Sequence, residues 1–308
     1  MSVRFYLHII GSTCAVLTLI WASALAEAAP SPTRPGTLES LTVAGGNGLA
    51  PRAVQVWLPP HFDRRTRYAV LYMHDGQMLF GNERTWNGQS WDIDRTLASL
   101  IQKHLIRNVI VVAIANDPNR RHAEFFPEAA LELLNPPALR EAFVTQALGQ
   151  RPAANAYLEF IVNVVKPAVD ARYPTDPSRE ATFIMGSSMG GLISLYALCE
   201  YPQIFGGAAA LSTHWIGSFE RNEAIPRSLR EYLERKLPPP DTVRIYLDRG
   251  TEELDALYDD AQREVDLLMQ REGFTPPRFQ SRTYPGAGHD EKTWRERVAE
   301  PLQFLLAR

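Results

Sequence analysis

The chain has 308 residues, 45% hydrophobic and 22% charged, with 32 Lys+Arg against 35 Asp+Glu and a formal charge of −3. That length admits one large α/β domain or two small ones, with enough chain to bury a sizeable core. The composition excludes collagen-like, disordered and disulfide-scaffold classes, and without a basic run interleaved with aromatics no nucleic-acid partner is expected.

The first predicted element is an address. From Phe5 to Leu25 the chain is apolar apart from His8, Arg4 precedes this run, and Ala24-Leu25-Ala26 puts small residues where a signal peptidase reads. Residues 1–26 are therefore expected to be a signal peptide cleaved after Ala26, giving a secreted or periplasmic protein with no stable membrane association after cleavage. The competing reading is a retained membrane anchor, since a run of this length nearly spans a bilayer. Cys14 follows Gly-Ser-Thr rather than a Leu-containing box, so no lipid anchor is expected on it. Removing 26 of 308 residues leaves 282, loses Arg4 so that the charge moves from −3 to −4, and leaves Cys199 as the one cysteine. Without an internal disulfide, stability must come from a packed core. Residues 27–42, with Pro30, Pro32 and Pro35, read as an extended leader into a domain spanning 43–308.

Within that domain, β-branched or aromatic runs predict strands at 53–58, 68–73, 109–115, 181–185, 207–211, 243–247 and 279–284. Leu158, Ile161, Val162, Val165, Ala168 and Val169 share one helical face, although Pro167 is expected to break or bend that helix. Further helices are predicted at 192–198, 254–270 and 294–306, while the Pro- and charge-rich stretch 218–241 reads as an insertion or cap. Alternating strands and helices imply a mostly parallel sheet with helices on both faces, hence an α/β fold.

Chemistry enters at Met185-Gly186-Ser187-Ser188-Met189-Gly190-Gly191, which follows a strand and opens a helix. Gly-x-Ser-x-Gly in that context is a nucleophile turn: Ser188 is pushed out of the sheet, and Gly186 and Gly190 avoid collisions a β-carbon would make. A serine hydroxyl needs a base held in one tautomer by a carboxylate. His289, in the glycine-rich loop 284–290 after the last predicted strand, is the candidate base. Four carboxylates compete for the third role after the strand 243–247: Asp248, Glu252, Glu253 and Asp255. Spacing alone does not choose among them. The Met189 amide, at the helix start, and the Gln77 amide, freed by the turn at Gly76, are the expected donors to an oxyanion. His74 and Asp75, side by side with no further ligands at regular spacing, do not make a metal site. Trp86, Trp91, His214 and Trp215 are candidates for pocket walls, and Asn119, Arg120 and Arg121 for contact with an anionic group.

Tyr72-Met-His-Asp-Gly-Gln77, the stretch Arg121–Pro127, Phe183–Gly191 and Gly288-His289-Asp290 with Trp294 resemble the esterase family of α/β hydrolases that contains enterochelin, feruloyl and acetyl xylan esterases, S-formylglutathione hydrolases and mycolyltransferases. The resemblance runs over about residues 45–308. It implies an α/β-hydrolase fold and carries the acid, about three residues after the glycine that ends the seventh strand, onto Glu253, where this chain departs by having Glu for Asp. The implied activity is hydrolysis of a small-molecule or polysaccharide-linked carboxylic ester by Ser188, Glu253 and His289 through an acyl-enzyme, with no metal or cofactor. Two alternatives stand beside it: an acyltransferase of the same fold, and an inactive hydrolase fold that binds a ligand.

Overall fold

Strand formation follows the apolar runs. The structure, a computed structural model, describes residues 34–43 and 48–307. Eight strands, β1 (Thr37–Leu41), β2 (Val54–Leu58), β3 (Ala69–Met73), β4 (Val109–Ile114), β5 (Thr182–Ser187), β6 (Gly207–Leu211), β7 (Arg244–Arg249) and β8 (Phe279–Thr283), form one sheet in the order β1-β2-β4-β3-β5-β6-β7-β8. β2 runs antiparallel to both β1 and β4, and every other pairing is parallel. β3, β4, β5 and β6 are buried along their whole length, as strands covered on both faces must be.

Successive side chains on a strand face opposite ways, so the sheet divides the interior into two cores. Val70, Tyr72, Ile184 and Ala208 face one; Leu71, Met73, Phe183 and Met185 face the other. The helices are α1 (Ile93–Gln102), α2 (Arg121–Phe125), α3 (Glu128–Glu132), α4 (Pro137–Phe143), α5 (Ala154–Phe160), α6 (Lys166–Arg172), α7 (Met189–Glu200), α8 (Ala224–Lys236), α9 (Asp259–Arg271), α10 (Glu291–Arg297) and α11 (Ala299–Leu306). Apolar residues of α2 to α9 join the first core, and those of α1, α10 and α11 the second. Parallel strands with helices on both faces make this an α/β-hydrolase architecture.

Two expectations are corrected and a third is narrowed. Part of the stretch read as a leader, Thr37–Leu41, is edge strand β1; only Leu41 of it is buried, so its apolar pattern is too weak to see. Pro167 does not break its helix: the preceding turn, Ile161–Val165, widens into a π-helix, which relieves the clash between the ring and the carbonyl four residues back. The stretch 218–241 is not a cap throughout, because α8 lies in it and buries Ile225, Leu229 and Leu233 as the ordinary connection from β6 to β7. The expected signal peptide and residues 27–33 of the leader lie outside the described residues. Among the described residues no helix is long and apolar enough to cross a membrane.

The sheet centre is where stability should be most sensitive. Ile184 is fully buried in β5, whereas Leu267 on α9 is 57% exposed. Ile184→Ala should cost about 2–5 kcal/mol in urea unfolding and Leu267→Ala no more than about 0.5 kcal/mol; equal losses would contradict this layering.

Candidate active site

All parallel strands end on one edge, and the residues of interest lie in the loops that follow β3, β5, β6, β7 and β8. Ser188 sits between β5 and α7 with φ 56° and ψ −121°, a strained conformation for a residue with a side chain. Its amide donates to the Leu211 carbonyl at 2.9 Å, and its carbonyl accepts from the Gly191 amide at 3.0 Å. Crowding explains the glycines unequally. A β-carbon on Gly186 would lie 2.8 Å from the Gly190 backbone, and one on Gly191 2.9 Å from Thr213 Oγ1. Gly190, expected to be forced by a collision, meets its nearest neighbours only at 3.5 Å, an ordinary contact. The Met189 and Gly190 amides open α7, where a helix has no carbonyl for its first N–H groups.

Ser188 and His289 line a common cavity of about 240 Å³, together with Met189, His214, Trp91 and Trp294. His289 Nδ1 lies 2.5 Å from Asp255 Oδ1. The imidazole is fixed edge-on against Trp294 and Tyr258, with ring centroids 5.1 and 5.7 Å away. Asp255 is fully buried, and its other oxygen accepts from Ser212 Oγ at 2.6 Å and from the Gly250 amide at 2.5 Å.

The acid expected at Glu253 is therefore not the group that meets the ring. Glu253 has φ 54°, which turns its exposed side chain toward the loop backbone, and Oε2 accepts from the His289 amide at 2.9 Å. Glu252 is exposed. Asp248 is fully buried but serves Arg297, at 3.1 Å, and the Ser212 amide, at 3.2 Å; burial lifts its carboxyl to about 6 against the pull of Arg297. The short 3-10 turn Glu253–Leu257 brings Asp255 back under the loop, five residues past Gly250 rather than three. Two bonds from the Thr251 and Glu252 amides to the Ala287 carbonyl, at 3.0 and 3.1 Å, tie the acid loop to the histidine loop. Gly250 is required there, since a β-carbon would lie 2.0 Å from that carbonyl.

Gln77 lies in the turn Gly76–Met78, whose Met78 amide bonds back to the Asp75 carbonyl at 2.8 Å. Gln77 does not itself line the cavity; Asp75 and Met78 on either side do. Its side chain accepts from the Asn116 amide at 3.2 Å. Asp75 has φ 54° and its carboxylate holds Arg121 through two bonds of 2.8 and 2.7 Å. Burial opposes ionisation of Asp75, but Arg121 outweighs it and keeps the carboxyl below its usual range. Arg121, a candidate for an anionic group, thus has its fork occupied and braces the turn.

Of the three further histidines that line the cavity, His74 and His214 stay neutral. His74 Nδ1 pairs with the Tyr157 hydroxyl at 2.8 Å, and His214 Nδ1 with the Tyr258 hydroxyl at 2.6 Å. Burial drives both imidazoles down to about 3. The Tyr258 hydroxyl also lies beside the Ser188 side chain. Of the expected wall residues, Trp86, Trp91 and His214 line the cavity, whereas Trp215 is buried in the core with its Nε1 donating to Gln262. Arg120 pairs with Glu124, and Asn119 closes a turn on Asp117. Among the described residues no group of three or more His, Cys, Asp or Glu is placed to hold a metal ion. Tyr258, Ser212 and Arg297 were not singled out in the sequence, because each acts through partners at least 36 residues away.

Residues 50–305 match the model of a family described as "Putative esterase". The chain is 23% identical over 265 residues to the Bacillus subtilis protein YbbA, covering 83% of this chain and 93% of that protein. It is 32% identical over 169 residues to the siderophore triacetylfusarinine C esterase of Aspergillus fumigatus, covering 50% of this chain and 48% of that one, so it matches about half the length of that relative. Among solved structures, a ferulic acid esterase superposes with a TM-score of 0.65 at 19% identity, covering 89% of this chain and all but 1% of the other (99%). An enterobactin esterase from Shigella flexneri gives 0.64 at 20%, covering 89% and 63%. These two likenesses are of fold.

The two buried histidines have a measurable consequence. Their folded pKa values lie below the unfolded value near 6.5, so between about pH 6.5 and 3 the unfolded chain binds protons that the folded one refuses. Stability should therefore fall as pH drops through that window, and the His74 and His214 ring signals in NMR should stay fixed from pH 8 to 5. A midpoint near 6.5 for either ring would contradict the placement.

Proposed function

The chain belongs to the family described as Putative esterase, and from that premise we propose that it is an exported serine esterase. Family membership and the esterases among its relatives support hydrolysis of carboxylic esters. The observation that carries the serine mechanism is the His289 ring held by the buried Asp255 in the cavity that Ser188 lines. Asp255 holds the Nδ1–H of His289, which leaves Nε2 free to accept the Ser188 proton. Ser188 Oγ attacks the ester carbonyl, and the tetrahedral oxyanion is stabilised by the Met189 amide at the start of α7, with the Gln77 amide, in the turn whose Asp75 and Met78 line the cavity, as the second donor that its sequence position suggests. His289 then gives its proton to the leaving alkoxide, and the acyl group stays on Ser188. Water, deprotonated by His289, attacks the acyl-enzyme; the carboxylic acid leaves and Ser188 regains its proton.

His74 and His214, both kept neutral, do not compete with His289 as bases near neutral pH. Export is supported by Arg4, the apolar run 5–25 and the small residues at Ala24 and Ala26.

Ser188→Ala should lower kcat on p-nitrophenyl acetate by at least about a thousandfold with the thermal midpoint retained. Asp255→Asn should lower kcat by about 10³–10⁴, and Glu253→Gln by less than about tenfold. An active Ser188→Ala enzyme, or a larger loss in Glu253→Gln than in Asp255→Asn, would overturn the assignment.

A further inference from the structure

A second cavity, of about 530 Å³, lies between α4 and the loop that leads into α8. It adjoins the first: His122 and Phe219 line both. Phe219 stands 71% exposed, the most exposed large apolar side chain among the described residues, and its ring lies 6.0 Å from His214 and 6.5 Å from His122. Beyond it the apolar part of the wall is Leu139, Ala142, Phe143, Ala147 and Ile225, and Gln146, Glu220 and Arg221 belong to its polar part. Leu139 too is exposed, at 37%. An exposed apolar surface of this kind, beside a cavity that Ser188 lines, marks a ligand surface.

The walls are built firmly. Phe143 packs on Phe126 with centroids 4.8 Å apart. Gly217, at φ 58°, lets the loop close down so far that a β-carbon would lie 2.9 Å from Ile225 and 3.2 Å from Phe143. Asn222 staples the same loop, donating to the Ile216 carbonyl at 2.9 Å and accepting from the Ile225 amide at 3.1 Å. His122 Nδ1 lies 3.2 Å from the Ala147 carbonyl, which accepts, and burial pushes the imidazole below its usual range. The boundary between the two cavities is therefore formed by an aromatic ring and an imidazole.

We infer that the second cavity is a substrate subsite: the ester carries an apolar arm, several carbons long, that passes His122 and Phe219 and lies against α4. This rests on the reading of Ser188 as nucleophile. The arm can belong to the acyl or to the alcohol side of the ester, and its recognition by apolar burial is the same in both cases.

The test measures kcat/KM for p-nitrophenyl acetate, butyrate, hexanoate and octanoate, and for acetates of ethanol, butanol, hexanol and octanol. One series should rise, by up to about fourfold per buried methylene, and the rising series identifies the side that carries the arm. Ala142→Trp, which fills the second cavity from α4, and Phe219→Ala, which removes the exposed ring, should each cut the octyl-to-short-chain ratio of that series at least about tenfold, with thermal midpoints close to wild type. Flat series in an enzyme that hydrolyses acetates, or a rising ratio that neither variant changes, would overturn the subsite alone. Absence of any ester hydrolysis would overturn the serine-esterase reading itself.

Discussion

A carboxylate taken wholly out of water is tolerated only when its oxygens are met by donors, and the Asp255 side chain is where that requirement organises this protein. One oxygen faces the His289 ring; the other is met by Ser212 Oγ and the Gly250 amide. Ser212 Oγ in turn accepts from Trp294 Nε1 at 2.9 Å and from Arg297 at 2.8 Å, and Arg297 reaches Asp248. The ends of β6 and β7, the histidine loop and α10 are thus joined through one buried network. Removing a single member would leave a charge or a hydroxyl buried without its partner, which is why such clusters hold their geometry closely. The same network fixes the tautomer and the direction of the imidazole, so stability and proposed chemistry depend on the same bonds.

On the other side of the cavity the constraint is steric. The β5–α7 turn can bring Ser188 out of the sheet only because the neighbouring backbone closes to a distance that excludes a side chain at Gly186 and Gly191. The strain at Ser188 is held by bonds at both its amide and its carbonyl, so the hydroxyl is presented without freedom to retreat. Beneath the cavity, Asp75 and Arg121 do for the Gly76–Met78 turn what Ser212 and Arg297 do for the acid loop. Each loop that contributes to the site is thus braced by a buried ion pair or a backbone contact, and none rests on a long free segment.

Local patterns in the sequence suffice for seven of the eight strands, for the turn Gly186–Gly191 and for the histidine loop, since each is decided by residues adjacent along the chain. β1 escaped because a half-exposed edge strand carries little apolar signal. The carboxylate that meets the His289 ring lies two residues beyond Glu253 for a different reason. Counting three residues from Gly250 assumes a regular loop, whereas the positive φ at Glu253 and the 3-10 turn after it rotate the chain so that the fifth residue, not the third, comes back beneath His289. Burial, which separates Asp255 from Glu252 and Glu253, is a property of the assembled loops. At Pro167 the helix is not broken, because it can widen for one turn instead of stopping.

The central claim is that Ser188 is a nucleophile activated by His289 under the hold of Asp255. The most direct measurement is stoichiometric labelling with a fluorophosphonate, read by intact mass and peptide mapping. The account predicts a single adduct on Ser188 that forms much more slowly in His289→Ala. An adduct on another residue, or an enzyme that hydrolyses esters while Ser188 stays unlabelled, would contradict it.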